Sequence, residues 1–168
     1  YSSGTGTPTL SAGNTIFIGG AGFAQGYLYL GDFTQLGNAP INLSMGSAAS
    51  LTFRNCSIGG LVNATTGNII FNASVFNSDV SFDKTGANND ASAGGNIFHG
   101  TTLLENSGSG YLLTGNGAPD VFNDNLTLIN NGSNTIHFAY NAAGNIINGD
   151  LSIQNLVGAA QVRLVDNL

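Results

Sequence analysis

Residues 120–128 read Asp120-Val121-Phe122-Asn123-Asp124-Asn125-Leu126-Thr127-Leu128. An apolar anchor, Phe122, is followed by apolar residues four and six places on. The same order recurs on both sides. Upstream, Asn96-Ile97-Phe98-His99-Gly100 leads to Thr102 and Leu104, and Ser74-Val75-Phe76-Asn77-Ser78 leads to Val80 and Phe82. A weaker copy, Cys56-Ser57-Ile58-Gly59-Gly60, leads to Val62 and Ala64. Downstream, Asn145-Ile146-Ile147-Asn148-Gly149 leads to Leu151 and Ile153. The anchors Ile58, Phe76, Phe98, Phe122 and Ile147 are therefore 18, 22, 24 and 25 residues apart.

Working outward, each unit carries a second alternating segment: Tyr111 with Leu113, Ile136 with Phe138, Val162 with Leu164. Between the segments lie clusters such as Asn106-Ser107-Gly108-Ser109-Gly110 and Asn130-Asn131-Gly132-Ser133-Asn134, made of residues that turn the chain. The N-terminal third repeats less cleanly. It still reads as strands at Thr15-Ile16-Phe17-Ile18, Tyr27-Leu28-Tyr29-Leu30, Ile41-Asn42-Leu43 and Leu51-Thr52-Phe53. Short strands and turns recurring in fixed order, with no helical period, predict that each repeat is one coil of a solenoid paired in parallel with its neighbours. A β-sandwich would not require the fixed order. The expectation is an all-β chain: residues 1–13 as an extended arm or linker, residues 14–168 as a parallel β-solenoid (β-helix) of about seven coils. At about 4.8 Å per coil, the rod is roughly 30 to 35 Å long.

In that register the five anchors form one interior column. One place after them, Asn77, His99, Asn123 and Asn148 form a polar ladder. Two places before them stand Cys56, Ser74, Asn96, Asp120 and Asn145. Asn stacked on Asn can bond along the rod and satisfy turn backbone, so both columns read as structural.

Composition narrows the function. Of 168 residues only 7% are charged, against roughly 25% in an ordinary domain. Gly supplies 25 residues and Asn 23, and the formal charge is −6. Three basic residues cannot neutralise a phosphate backbone, which argues against nucleic acid as partner. No apolar run reaches the length of a membrane span. The single Cys56 allows no internal disulfide, and His99 and His137 stand apart, so zinc is not indicated. Tyr1-Ser2-Ser3-Gly4 has neither the charged nor the apolar region of a signal peptide. Scarce Lys and abundant Asn, Gly, Ser and Thr point to an extracellular or cell-surface setting.

The segments Gly95-Asn96-Ile97-Phe98-His99-Gly100-Thr101-Thr102, Asp120 to Leu128, and Phe138-Ala139-Tyr140-Asn141-Ala142-Ala143-Gly144-Asn145 resemble the tandem repeats of very large secreted, adhesin-like proteins of the Bacteroidota. The likeness extends over about residues 68–155. It implies a secreted surface or matrix protein with a parallel β-helix shaft, and it carries over no catalytic residue.

Enzymatic chemistry finds little support in the spacing. Asp79, Thr101, Asn125 and Asp150 share a column, and Asp79 and Asp150 fall about 14 Å apart, too far for a carboxylate pair. Asp120 and Asp124 are the nearest local pair and read as turn formers on a solvated surface. The Asp-rich nonapeptide of calcium-binding β-helices is absent. Threonines do not repeat coil by coil as a flat ice-binding face requires. Sequons at Asn42, Asn55, Asn63, Asn72, Asn125 and Asn131 follow from composition. No catalytic residue, cofactor or metal is therefore expected.

The functional expectation is a structural and adhesive module. Its partner is a further copy joined head to tail, or flanking repeats of the same chain. Tyr1, Leu10, Leu164 and Leu168 mark the two assembly ends. The alternative is a glycan-binding or glycan-cleaving β-helix, for which exposed Tyr27, Tyr29, Tyr111 and Tyr140 would be the signature.

Overall fold

The computed structural model describes strand residues 9–10 and 16–19 and the continuous stretch 23–165. The chain is an all-β, right-through parallel solenoid in which every strand pairing is parallel. One face is a seven-stranded sheet of two-residue strands: β1 (Thr9–Leu10), β4 (Thr34–Gln35), β7 (Ser57–Ile58), β10 (Val75–Phe76), β12 (Ile97–Phe98), β15 (Val121–Phe122) and β18 (Ile146–Ile147). The second face is also seven-stranded: β2 (Ile16–Gly19), β5 (Ile41–Ser44), β8 (Val62–Thr66), β11 (Val80–Lys84), β13 (Thr102–Asn106), β16 (Leu126–Asn130) and β19 (Leu151–Asn155). The third face is split into two three-stranded sheets. One comprises β3 (Gln25–Gly31), β6 (Ala48–Arg54) and β9 (Asn68–Asn72); the other, β14 (Leu112–Leu113), β17 (Ile136–His137) and β20 (Val162–Arg163). Seven rungs are thus joined by about six turns of the coil. The first rung already includes Thr9–Leu10, paired with Thr34–Gln35, so the solenoid starts within the segment expected to be an arm. Residues 1–8 lie outside the described residues.

The anchors fall in one register: Ile58 beside Phe76, Phe76 beside Phe98, Phe98 beside Phe122, Phe122 beside Ile147. The first four are fully buried and Ile147, on the last rung, half-buried. Parallel pairing in register places identical side chains one strand spacing apart, which suits face-to-face rings. Phe76 and Phe98 stack at 5.0 Å with planes 4° apart, and Phe98 and Phe122 at 4.8 Å and 1°. Phe53, Phe71 and Phe82 close around them edge-on or tilted. The residues four and six places after each anchor also pair across rungs, Val80 with Thr102 and Phe82 with Leu104 among them. Their alternation gives β11, β13 and β16 the same buried–half-buried pattern.

The third face corrects one expected alignment. Leu112, not Tyr111, pairs with Ile136, and Leu113 pairs with His137. Two adjacent leucines left the phase open, and the fully buried Leu112 takes the interior place. In rung four this face has no strand. Gly94 alone bridges Asn72 and Ala118.

Two local devices let rungs lie flat on one another. Asp32, Asn55 and Ala73 turn three successive corners in the left-handed region, with φ of 51°, 52° and 49°. Asp and Asn tolerate that conformation better than Ala does. In the turn after the second face, a Cβ on Gly108 would run into the carbonyl oxygen of Gly86, and one on Gly132 into that of Gly108. Only glycine lets those turns stack.

Candidate functional site

Three features of the rod are candidates for function: its open final rung, the polar columns, and the outward carboxylates.

The final rung presents apolar residues at the positions its predecessors bury. Leu151 and Ile153 stand in the columns of Leu126 and Leu128, yet are 39% and 41% exposed where the latter are fully buried. Ile146, Leu156, Leu164 and Val165 are exposed beside them. β18, β19 and β20 each occupy the edge of a sheet, so one row of backbone groups per strand faces outward unpaired. Of the expected assembly ends, Leu164 lies at this face. Leu10 lies in the first-rung strand, and Tyr1 and Leu168 are outside the described residues.

The polar columns divide into an exposed and a buried set. The exposed ladder links Asn148 Nδ2 to Asn123 Oδ1 at 2.9 Å and Asn123 Nδ2 to His99 Nδ1 at 3.0 Å. Asn77 Nδ2 donates to the Ile58 carbonyl at 3.1 Å. The buried set runs two places before the anchors. The Cys56 amide donates to Ser74 Oγ, Ser74 to Asn96 Oδ1, Asn96 to Asp120 Oδ1, and Asp120 to Asn145 Oδ1, at 3.1, 3.0, 2.8 and 2.8 Å. Each side chain thereby satisfies a backbone donor of the rung before it. Asp120 is not a surface residue as expected. It is 2% exposed and also accepts from Asn96 Nδ2 and the Gly115 amide. Burial pushes its carboxyl up, against the opposing pull of those bonds. Burial likewise pushes the Cys56 thiol up, and Sγ donates to the Leu30 carbonyl, so this cysteine is a core residue.

The anchor column also continues where the sequence hid it. Gln35 follows Thr34, which pairs with Ser57, and so takes the place of Ile58 one rung earlier. Its buried amide donates to the Ala39 carbonyl at 2.6 Å and accepts from the Gly60 amide at 3.0 Å. A polar residue at an anchor position erased the repeat signature there.

One pair of carboxylates lies outside the column of Asp79 and Asp150. Seven places after their anchors, Asp83 and Glu105 stand side by side in register on β11 and β13. Strand spacing holds their Cα atoms about 4.8 Å apart. Burial first, and then the neighbouring Glu105 charge, push the Asp83 carboxyl up, while bonding to Ser107 opposes this. Ser107 Oγ donates to Glu105 Oε1 at 3.0 Å. Asp83 also borders a shallow depression of about 150 Å³ lined by Asn42, Ser44, Asn63, Thr65 and Ser81. Two acids at this distance, one favouring its proton, can divide acid and base roles.

The tyrosines fall into two separate groups. Tyr27 and Tyr29 project from β3, at 86% and 56% exposure. Tyr111 and Tyr140 flank His137 edge-on, with ring centres 5.4 and 5.2 Å away. Among the described residues, no three His, Cys, Asp or Glu side chains converge to hold an ion, and no helix is long and apolar enough to cross a membrane. No protein-family model, curated protein or solved structure matches this chain.

Proposed function

We propose that this chain is a structural rod segment of an extracellular or cell-surface fibre, extended by adding rungs end to end. The observation that carries the reading is the final rung: its edges are unpaired, and Leu151 and Ile153 stand exposed in columns that are buried in rungs two to six. A further rung, from a second copy or from continuing chain, satisfies both. Where a second copy supplies it, the contact is head to tail. Such a contact does not close on itself and yields filaments. The resemblance to adhesin repeats points the same way. Ile153→Lys should leave the β-rich circular dichroism spectrum unchanged and abolish concentration-dependent growth in sedimentation and electron microscopy. A wild-type protein that stays monomeric at high concentration, and still stays monomeric when a further repeat rung is offered as a separate chain, would overturn the reading.

A second reading, a glycan-cleaving face, draws on Asp83 and Glu105 beside the depression lined with Asn, Ser and Thr. A retaining mechanism needs two carboxyls this closely placed, and Asp83 and Glu105 rise from neighbouring strands in register. Release of reducing ends from neutral polysaccharides, lost in Glu105→Gln, would favour it; no release from any polysaccharide tested would reject it.

A further inference from the structure

Rung four departs from its neighbours at two buried positions at once. The last residues of the second-face strands form a column: Thr66, Lys84, Asn106, Asn130 and Asn155, paired in that order. The first four are fully buried. The asparagines all serve one purpose. Asn130 Nδ2 donates to the carbonyls of Asn134 and Gln161 at 2.9 Å each, and Asn155 Nδ2 to Ala160 at 2.9 Å. Lys84 replaces an asparagine and sends Nζ to the Gly86 carbonyl at 3.0 Å. Across the same rung, the Asp90 amide donates to the Tyr111 carbonyl, as Leu112 does to Thr135 and Ile136 to Gln161. Asp90 therefore occupies the apolar column of Leu112 and Ile136. It is 3% exposed, held by the Ser92 amide and hydroxyl at 2.7 Å and by the Leu113 amide at 2.8 Å.

A lysine and an aspartate thus enter the core together, with Asn106 directly beside the lysine. The Asn106 side-chain oxygen Oδ1 is buried and accepts no hydrogen bond. Its Nδ2 makes one long bond, 3.4 Å to the Asn134 carbonyl, which Asn130 already satisfies at 2.9 Å. Loss of that nitrogen would orphan no acceptor.

We propose that Lys84 and Asn106 form an intramolecular amide cross-link between rungs four and five. Nζ, swung from Gly86 toward the neighbouring strand, adds to Cγ of Asn106. The four-methylene lysine stem is long enough to span one strand spacing. Nζ passes a proton to Nδ2 as it adds. The Nζ–Cγ bond forms, the Cγ–Nδ2 bond breaks, and ammonia leaves; nothing is oxidised or reduced. The new amide keeps one N–H for the Gly86 carbonyl. Protonation states favour the step. Burial lowers the Lys84 pKa, which makes the neutral, nucleophilic amine more accessible.

Intact mass spectrometry of the unfolded full chain tests this directly. The expected mass is the sequence mass less one ammonia. Trypsin acting on unfolded chain should cut after Arg54 and Arg163 and leave residues 55–163 as one piece, because the amidated Lys84 is no longer a cleavage site. In Lys84→Met and Asn106→Leu the full mass should return. A wild-type chain of full mass, or efficient release of residues 55–84, would overturn the proposal. So would an ammonia loss that persists in Lys84→Met, since it would come from cyclised asparagine elsewhere.

Discussion

Phe98 sits between two parallel rings, Phe76 and Phe122, and touches Phe71 edge-on. The strands above and below it are fixed by their own hydrogen bonds, so the space left by truncation cannot collapse. Phe98→Ala should cost about 3 to 5 kcal/mol in denaturant unfolding. Asp90 makes a different prediction. Its folded pKa of about 6 lies above the ordinary value of 3.8. The folded state therefore binds the proton more tightly, and the stability it gains is full below about pH 4. That stability is lost as pH rises from 4 through 6. The difference is about 3 kcal/mol, by the conversion of pKa shift to free energy. Asp120 and Asp83 shift in the same direction. Thermal melts should therefore show a protein more stable at pH 4.5 than at pH 7.5, and Asp90→Asn should flatten much of that slope.

The strands are held as much by buried side chains as by their own pairing. Asn96 accepts from the Ser74 amide and donates to Asp120, all out of contact with water. Asn96→Ala should cost about 1 to 3 kcal/mol, because it leaves a buried amide unsatisfied. Asn123→Ala, in the exposed ladder where water replaces the lost partner, should change the same unfolding midpoint little. The columns were legible wherever the sequence repeated its residue types: anchor, polar follower, and the apolar places four and six on. They were illegible where one polar residue took an apolar place, as Gln35 did in rung two and Asp90 in rung four. Tyr111-Leu112-Leu113 concealed the phase of its strand because either leucine suits the interior. Asp83 and Glu105 were readable at seven places after the anchor, but the repeat signature itself ends at the sixth. Asp120 looked like a turn residue because a turn surrounds it, and only the packing of Gly115 and Asn96 around its carboxylate reveals it as core.

In the proposed contact between copies, apolar attraction at the final rung is set against a net charge of −6. Like charges on approaching rods repel over about 10 Å at 0.1 M salt and over about 30 Å at 0.01 M. The apolar contact at the tip is insensitive to this screening. Light scattering should therefore report faster and more extensive growth as salt rises from 10 to about 150 mM, the reverse of an association driven by opposite charges. A fibre of such segments also has a particular response to load. The hydrogen bonds joining rungs run along the rod, not across it. Tension on its two ends loads every rung interface equally, but only at the terminal rung does the pulled chain lead directly into the bonds, which then break one after another. The terminal rung peels first, and every rung released adds a slack length of roughly 60 to 90 Å to the tether, at about 3.5 Å per residue. If the proposed fibre forms, such a segment should therefore yield under load in small, regular steps, as single-molecule force measurements would record, and stretch where a rigid strut would hold.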